Sequence, residues 1–108
     1  MDVRLGEFEQ LVLLALLRLD QTGYGVTVRQ ELQDRARRRV SLGTVYKTLL
    51  RLEAKGLVRA RVGDPTPERG GRRKKHYLVT GAGRRVLEHS LVALRRLSHG
   101  LAVAWEVR

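Results

Sequence analysis

The sequence predicts a mainly α-helical fold with one small β-hairpin, and three observations support this. In four segments of the 108-residue chain, apolar residues recur at intervals of three and four, the spacing of a buried helix face. Apolar and basic residues alternate from Val58 to Val62, as in a half-buried strand. A segment rich in glycine and proline separates this strand from a second short apolar run that ends at Val79. The two strands are therefore expected to pair as a hairpin.

The first helix is predicted over residues 5 to 19, and residues 20 to 23 follow as a turn. Its apolar residues have helical spacing, but residues 11 to 17 are apolar on almost every side. A helix that is apolar all round is buried on both sides. In a chain this small, we expect one of those sides to face a second subunit.

Two amphipathic helices with a short connection are predicted next. The second helix has apolar residues four apart, at Tyr24, Val28, Leu32 and Ala36. The third helix buries Leu42, Val45, Leu49 and Leu52. Ser41 is a good N-cap for the third helix, and Gly56 ends it as a C-cap glycine. This order matches a helix-turn-helix.

A hairpin and a long helix complete the chain. Strands are predicted from Val58 to Val62 and from Lys75 to Val79. The segment Gly63-Asp64-Pro65-Thr66-Pro67 is not expected to continue the ladder, because each proline lacks an N–H to donate. Thr80 caps the last helix, whose near-heptad seam comprises Leu87, Leu91, Leu94, Leu97, Leu101 and Ala104. The prediction is a winged helix-turn-helix over residues 1–80, with a C-terminal dimerisation helix over residues 81–108 in the same structural unit.

The charge balance favours an anionic partner. Lys and Arg number 22 against 11 for Asp and Glu, a net charge of +11, which is typical of nucleic-acid-binding domains. With no cysteine and no metal-ligand spacing among the three histidines, neither a metal site nor a cofactor is expected. No nucleophile–base pairing suggests an enzyme. The longest apolar run is shorter than the roughly 20 residues that cross a bilayer, so we expect a cytoplasmic protein with no membrane partner.

The face of the third helix opposite its apolar stripe is the first candidate DNA-binding surface. It carries Thr44, Thr48, Arg51 and Lys55, flanked by Lys47. Arginine can pair with guanine, threonine can contact a thymine methyl, and lysine can reach a phosphate. Ser41 and Gly43 would let backbone N–H groups approach a phosphate, and the Tyr46 hydroxyl would reach another. The alternative for this stripe is an ordinary solvated helix face.

The loop of the hairpin is the second candidate surface. It comprises Arg69, Gly70, Gly71, Arg72, Arg73, Lys74 and Lys75. The glycines allow the backbone to approach a groove of DNA, and an arginine can then enter a narrow minor groove. A flexible, solubilising basic loop is the alternative interpretation. Its position between two strands that follow a helix-turn-helix favours contact with DNA.

Several motifs, in one order along nearly the whole chain, resemble the PadR family of bacterial transcriptional regulators. They are Leu5-Gly6-Glu7-Phe8-Glu9, Tyr24-Gly25, Val40-Ser41-Leu42-Gly43-Thr44-Val45-Tyr46, Leu52-Glu53-Ala54-Lys55-Gly56-Leu57-Val58, Arg69-Gly70-Gly71-Arg72-Arg73-Lys74, and Tyr77-Leu78-Val79-Thr80 with Gly83. The length is similar to that of the short subgroup with one C-terminal helix. The resemblance implies a homodimeric winged-helix repressor that binds a palindromic operator and dimerises through its first and last helices. Some members bind aromatic drugs between subunits through a tryptophan midway along the last helix, where this chain has Arg95 and Arg96.

The expected dimer surface combines the first and last helices. Its predicted residues are Leu5, Phe8, Leu13, Leu17, Leu87, Leu91, Leu94, Leu97, Leu101 and Trp105. A small-molecule effector of unknown identity is expected at this interface. Two other functions are open at this point: a non-specific nucleic-acid or nucleoid-binding protein, and an adaptor that uses the winged helix for protein interactions.

Overall fold

The computed structural model describes residues 4–65 and 73–102. Three helices come first, α1 (Glu7–Leu19), α2 (Gly25–Ala36) and α3 (Leu42–Ala54), with a single 3-10 turn at Asp20–Thr22 between the first two. Strands β1 (Val58–Pro65) and β2 (Arg73–Val79) then form an antiparallel hairpin, and helix α4 (Gly81–Ser98) follows. The predicted fold class is confirmed. Within the described ranges, no helix is both long enough and apolar enough to cross a membrane.

The core lies where α1, α2 and α3 meet. Val12 and Leu13 from α1, Val28 from α2, and Val45 and Leu49 from α3 are inaccessible to solvent. Because Leu13 is buried in its own subunit, the prediction that it lies in the dimer interface is wrong. The apolar residues of α1 are divided between this core and a partly exposed side.

The ends of α3 follow the predicted capping chemistry. The Ser41 hydroxyl accepts a hydrogen bond from the Thr44 N–H at 3.1 Å, which satisfies one of the unpaired donors at the helix start. Gly56, just beyond the last turn, has a φ of +76°. Glycine adopts this left-handed conformation without the steric cost that a side chain brings. Both helix ends are therefore confirmed.

The hairpin has a longer first strand than predicted. Val58 to Val62 pair in register with Val79 to Lys75, but the register shifts before Pro65, which pairs with Arg73. The expectation that the ladder stops before Pro65 is wrong. A bulge changes which backbone groups of β1 face β2. Pro65 is therefore tolerated in the strand, since proline can occupy a position where the ladder does not need its N–H.

Short backbone contacts tie α3, the hairpin and α4 together at one place, which we call the junction (Gly56, Leu57, Thr80 and Gly83). The Leu57 carbonyl accepts a hydrogen bond from the Thr80 N–H at 3.0 Å. The Thr80 hydroxyl donates to the Gly56 carbonyl at 2.8 Å and accepts from the Gly83 N–H at 3.0 Å. Thr80 thus caps α4, as predicted, and also joins it to the end of α3.

Helix α4 is shorter than the predicted seam. It ends at Ser98, after which His99 has an extended backbone and Gly100 a φ of +82°. Leu101 therefore lies in a turn beyond the helix, since its N–H donates to the Ser98 carbonyl at 3.0 Å. The prediction that Leu101 continues the helical seam is wrong, because glycine at position 100 makes the left-handed exit accessible. Ala104 lies outside the described residues.

Candidate nucleic-acid interface

The exposed face of α3 is displaced by one residue from the stripe predicted for it. Its central row consists of Gly43, Lys47, Leu50 and Ala54, at intervals of four, three and four. Thr44 and Arg51 are exposed on one side of this row, and Tyr46 is exposed on the other. The structure therefore brings together most of the predicted residues on one solvent-facing surface, where hydroxyl, basic and apolar groups stand side by side.

Thr48 does not belong to this surface. Its side chain is almost inaccessible, with a relative exposure of 3%, and its hydroxyl donates to the Thr44 carbonyl at 3.0 Å. The prediction that Thr48 contacts DNA is wrong, because a threonine in a helix can satisfy its hydroxyl within the preceding turn and then be buried.

Lys55 is engaged within the protein rather than free to reach a phosphate. Its ammonium donates to both carboxylate oxygens of Glu9, at 2.9 and 2.8 Å, and to the Arg4 carbonyl at 3.0 Å. This pair joins the end of α3 to the start of α1. Burial raises the pKa of Glu9, but the hydrogen bonds from Lys55 and from the Gly6 N–H, with the charges of Lys55 and Arg51, lower it below its ordinary value of 4.5. Glu9 therefore stays ionised and holds Lys55.

The start of α3 is open to an approaching group. Gly43 is exposed, and a methyl group built on it would have only the Ser41 hydroxyl oxygen nearby, at 3.9 Å. The first N–H groups of a helix have no partner within the helix, and its positive end favours anions. The approach of Ser41 and Gly43 to a phosphate stays a prediction.

Tyr46 is positioned by the absence of a side chain on α2. A Cβ atom on Gly25 would collide with the phenol ring and hydroxyl of Tyr46. The ring therefore lies across the first turn of α2, and part of it remains exposed. Glycine at position 25 is therefore required for this position of the Tyr46 ring.

The described end of the basic run lies against the helices. The Lys74 ammonium donates to the Tyr24 hydroxyl at 3.2 Å and stands 4.7 Å from the centre of the Tyr24 ring. The Lys75 ammonium is 3.9 Å from a Glu53 carboxylate oxygen. Both lysines belong to β2, so the second strand presents positive charge beside α2 and α3. Of the other predicted residues, Arg73 is described in its backbone only, and Arg69, Gly70, Gly71 and Arg72 lie outside the described residues.

The predicted dimer residues fall into three groups. Leu87 is buried in the core of its own chain, so its prediction as an interface residue is wrong. Farther along the same stripe of α4, the side chains become exposed, and Leu97 is 82% accessible. The exposed or partly exposed candidates are Leu5, Phe8, Leu17, Leu91, Leu94, Leu97 and Leu101. Trp105 lies outside the described residues.

An apolar groove runs between α1 and α2. One side of the groove is formed by Leu11, Leu14 and Leu17 of α1, and Leu32 of α2 lines the other side. The groove has a volume of about 800 Å³. Its rim carries ion pairs: Glu31 Oε2 lies 3.5 Å from Arg18 Nε and 2.6 Å from Arg35 Nε. The sequence pattern indicates the second apolar side of α1 but not this groove, since the position of α2 beside it depends on tertiary packing.

Three helices, a two-stranded hairpin after α3 and a final helix define the winged-helix class of proteins. The chain belongs to the PadR-like family of transcriptional regulators, whose family model matches residues 13–89. The resemblance inferred from the motifs is therefore confirmed. The family is one of transcriptional regulators, so the expectation that the chain is not an enzyme is also confirmed.

Solved structures have the same fold. A PadR family transcription regulator from Clostridium difficile R20291 is 26% identical, with a TM-score of 0.71 over 86% of this chain and 92% of that one. A PadR family transcriptional regulator from Eggerthella lenta DSM 2243 is 27% identical, with a TM-score of 0.67 over 94% of this chain and 88% of that one.

A curated relative is much longer than this chain. An uncharacterized 37.1 kDa protein in transposon TN4556 of Streptomyces fradiae is 34% identical over 96 residues, which is 89% of this chain. The chain spans about a quarter of the length of that relative, since the match covers 25% of it. The similar region thus extends over most of the winged helix described above.

Proposed function

We propose that this chain is a sequence-specific DNA-binding transcriptional regulator that acts as a homodimeric repressor on a palindromic operator. The observation that carries the proposal is the exposed face of α3, where Lys47 and Arg51 stand beside Thr44 and Tyr46. Such a face suits the major groove, where guanine offers two acceptors to arginine and thymine offers a methyl group. The net charge of +11 supports a polyanionic partner.

In the proposed complex, α3 enters the major groove and the hairpin follows the backbone beside it. The open helix start at Ser41 and Gly43 would approach a phosphate through backbone N–H groups. Lys74 and Lys75 on β2, with the arginines and glycines that precede them in sequence, would add contacts to phosphates or the minor groove. Affinity would then come mostly from the hairpin, and base preference mostly from α3.

Two complementary apolar surfaces support the homodimer. The exposed part of α4 projects Leu94 and Leu97, and the groove between α1 and α2 is lined by Leu11, Leu14 and Leu17. Burying the exposed α4 leucines of one copy in the groove of another copy would remove both apolar surfaces from water. A dimer of this kind would present two α3 helices about 34 Å apart, the separation of successive major-groove half-sites. A small-molecule effector bound between the subunits would release the operator by changing that separation.

We expect Leu97→Glu to shift the protein to a monomer, because a carboxylate at the most exposed point of the α4 face would lose its solvation on association. Sedimentation velocity at micromolar concentration measures the change. Val92→Glu is the matched control, since Val92 is also exposed but lies on another side of α4. A wild-type monomer, or equal effects of the two substitutions, would contradict the α4 dimer.

Sequence-specific binding is tested by capturing genomic fragments that bind the protein. The affinity for the selected duplex is then compared with that for a random duplex at one stated salt concentration. We expect the operator to bind roughly a thousandfold more tightly than random duplex. Arg51→Ala should reduce this ratio by about tenfold, since one good base contact contributes ~1–3 kcal/mol. Arg96→Ala on α4 is the control. Equal affinity for all duplexes would favour the non-specific nucleic-acid-binding alternative, and no binding would favour an adaptor.

A further inference from the structure

A leucine is exposed at the centre of the surface proposed to bind DNA. Leu50 has a relative accessibility of 53%, although it lies near the middle of α3. Lys47 precedes it by one turn and Ala54 follows it by one turn, so Leu50 occupies the central row of the exposed face. Its side chain is apolar among neighbours that are basic, hydroxylated or small.

The fold of the subunit does not use Leu50. Helix α3 packs against the rest of the chain through Val45, Leu49 and Leu52, which are fully buried. Leu50 is absent from the hydrophobic core and from the partly buried residues around it. Nothing in the packing of the described residues therefore requires leucine at this position.

The composition of this face does not single out a protein partner. Leu50 adjoins Lys47, a residue type that is depleted in protein–protein interfaces, and Arg51, a type that is enriched there. The apolar surfaces that suit a second copy lie elsewhere, on α4 and on the groove between α1 and α2. Leu50 is an apolar side chain flanked by basic ones. The complementary partner surface is therefore anionic and has a small apolar group at its centre.

The major groove of DNA has that character. Its edges are lined by phosphates, and the one apolar group on its floor is the C5-methyl of thymine. We propose that Leu50 determines specificity by contacting a thymine C5-methyl in each half-site of the operator. This inference rests on the proposed function, because it requires α3 to lie in the major groove.

Replacing operator thymines by uracil, one position at a time, removes only the C5-methyl group. We expect one position per half-site where this replacement weakens wild-type binding about fourfold, the effect of one buried methyl group. Leu50→Ala should bind the thymine operator more weakly and be insensitive to uracil at that same position. The alanine variant should fold normally, because alanine is the best helix former and the site is exposed.

Val92→Ala on α4 is the matched control, an exposed apolar residue shortened outside α3, and it should keep the full uracil penalty. If no position in the operator responds to uracil, the inference is wrong while specific DNA binding stands. If the penalty persists in Leu50→Ala, another side chain such as Thr44 reads the methyl group, and the inference is again wrong. If no captured duplex is preferred over random DNA, the proposed function fails and the inference fails with it.

Discussion

Gly83→Ala is expected to destabilise the protein by about 3 kcal/mol, the upper end of the usual cost of overpacking. A Cβ atom at position 83 would collide with the Leu57 carbonyl oxygen and stand only 3.0 Å from the Leu57 carbonyl carbon and from Val79. The obstacle is backbone that is held by its hydrogen bond from Thr80, so it cannot move aside as a flexible side chain would. Chemical denaturation followed by circular dichroism measures the loss.

Gly81→Ala is the matched control for this prediction. It lies two residues earlier in the same helix turn, where an added Cβ would meet only the Arg85 guanidinium at 3.4 Å. Alanine there should leave stability unchanged or raise it, because alanine favours the helix over glycine. Similar effects of the two substitutions would show that the junction is not closely packed and would refute the explanation.

Removing the Lys55 ammonium by Lys55→Met should cost about 2 kcal/mol at neutral pH. Breaking a buried pair leaves an uncompensated charge, and the effect is reduced here because the Lys55 side chain is 30% exposed while that of Glu9 is 6% exposed. Arg51 contributes charge near Glu9 but forms no hydrogen bond with it among the described contacts. Urea denaturation of both proteins measures the difference.

The same pair makes a prediction about pH. The folded-state pKa of Glu9 is lowered from 4.5, so its contribution to stability is present above that value and is lost as pH falls through the folded pKa. Without Lys55, burial is the largest influence and should raise the pKa of Glu9. The difference in stability between wild type and Lys55→Met should therefore shrink as pH falls, starting above 4.5 as Glu9 of the variant takes up a proton and ending below the lowered pKa of wild type.

Glu9→Gln combined with Lys55→Met is the control for the charge. It keeps a polar side chain that can accept from the Gly6 N–H but removes both charges, and we expect it to recover much of the stability lost in Lys55→Met. A penalty that is independent of pH, or one that the double variant fails to relieve, would attribute the effect to packing of the lysine stem instead.

Local chemistry explains what could be predicted from the sequence. The caps at Ser41, Gly56 and Thr80 depend on a few neighbouring residues, and their geometry agrees with the prediction. The exposed face of α3 was predicted one residue out of place. At about 100° per residue, the face opposite Leu42, Val45, Leu49 and Leu52 is centred on Lys47 and Ala54, so Leu50 lies on the exposed face and Thr48 lies beside the buried arc. A hydrogen bond to the preceding turn then makes the burial of Thr48 tolerable.

The division of apolar residues between core and interface could not be predicted. Leu13 and Leu97 are alike in sequence terms, yet one is inaccessible and the other is almost fully exposed. The difference depends on where α4 leaves the body of its own domain, which no local pattern encodes. Lys55 is likewise a basic residue at helix spacing, and only the approach of Glu9 from α1 removes it from the candidate DNA surface.

The junction at Gly56, Leu57, Thr80 and Gly83 couples the end of α3 to the start of α4. Hydrogen bonds of 2.8 to 3.0 Å join the residues that follow α3, Gly56 and Leu57, to Thr80 at the start of α4. A dimer built on α4 would therefore fix the distance between its two α3 helices through the stiffness of each subunit. The number of base pairs separating the half-sites would then be strictly limited, and inserting a single base pair there should weaken binding more than changing the bases themselves.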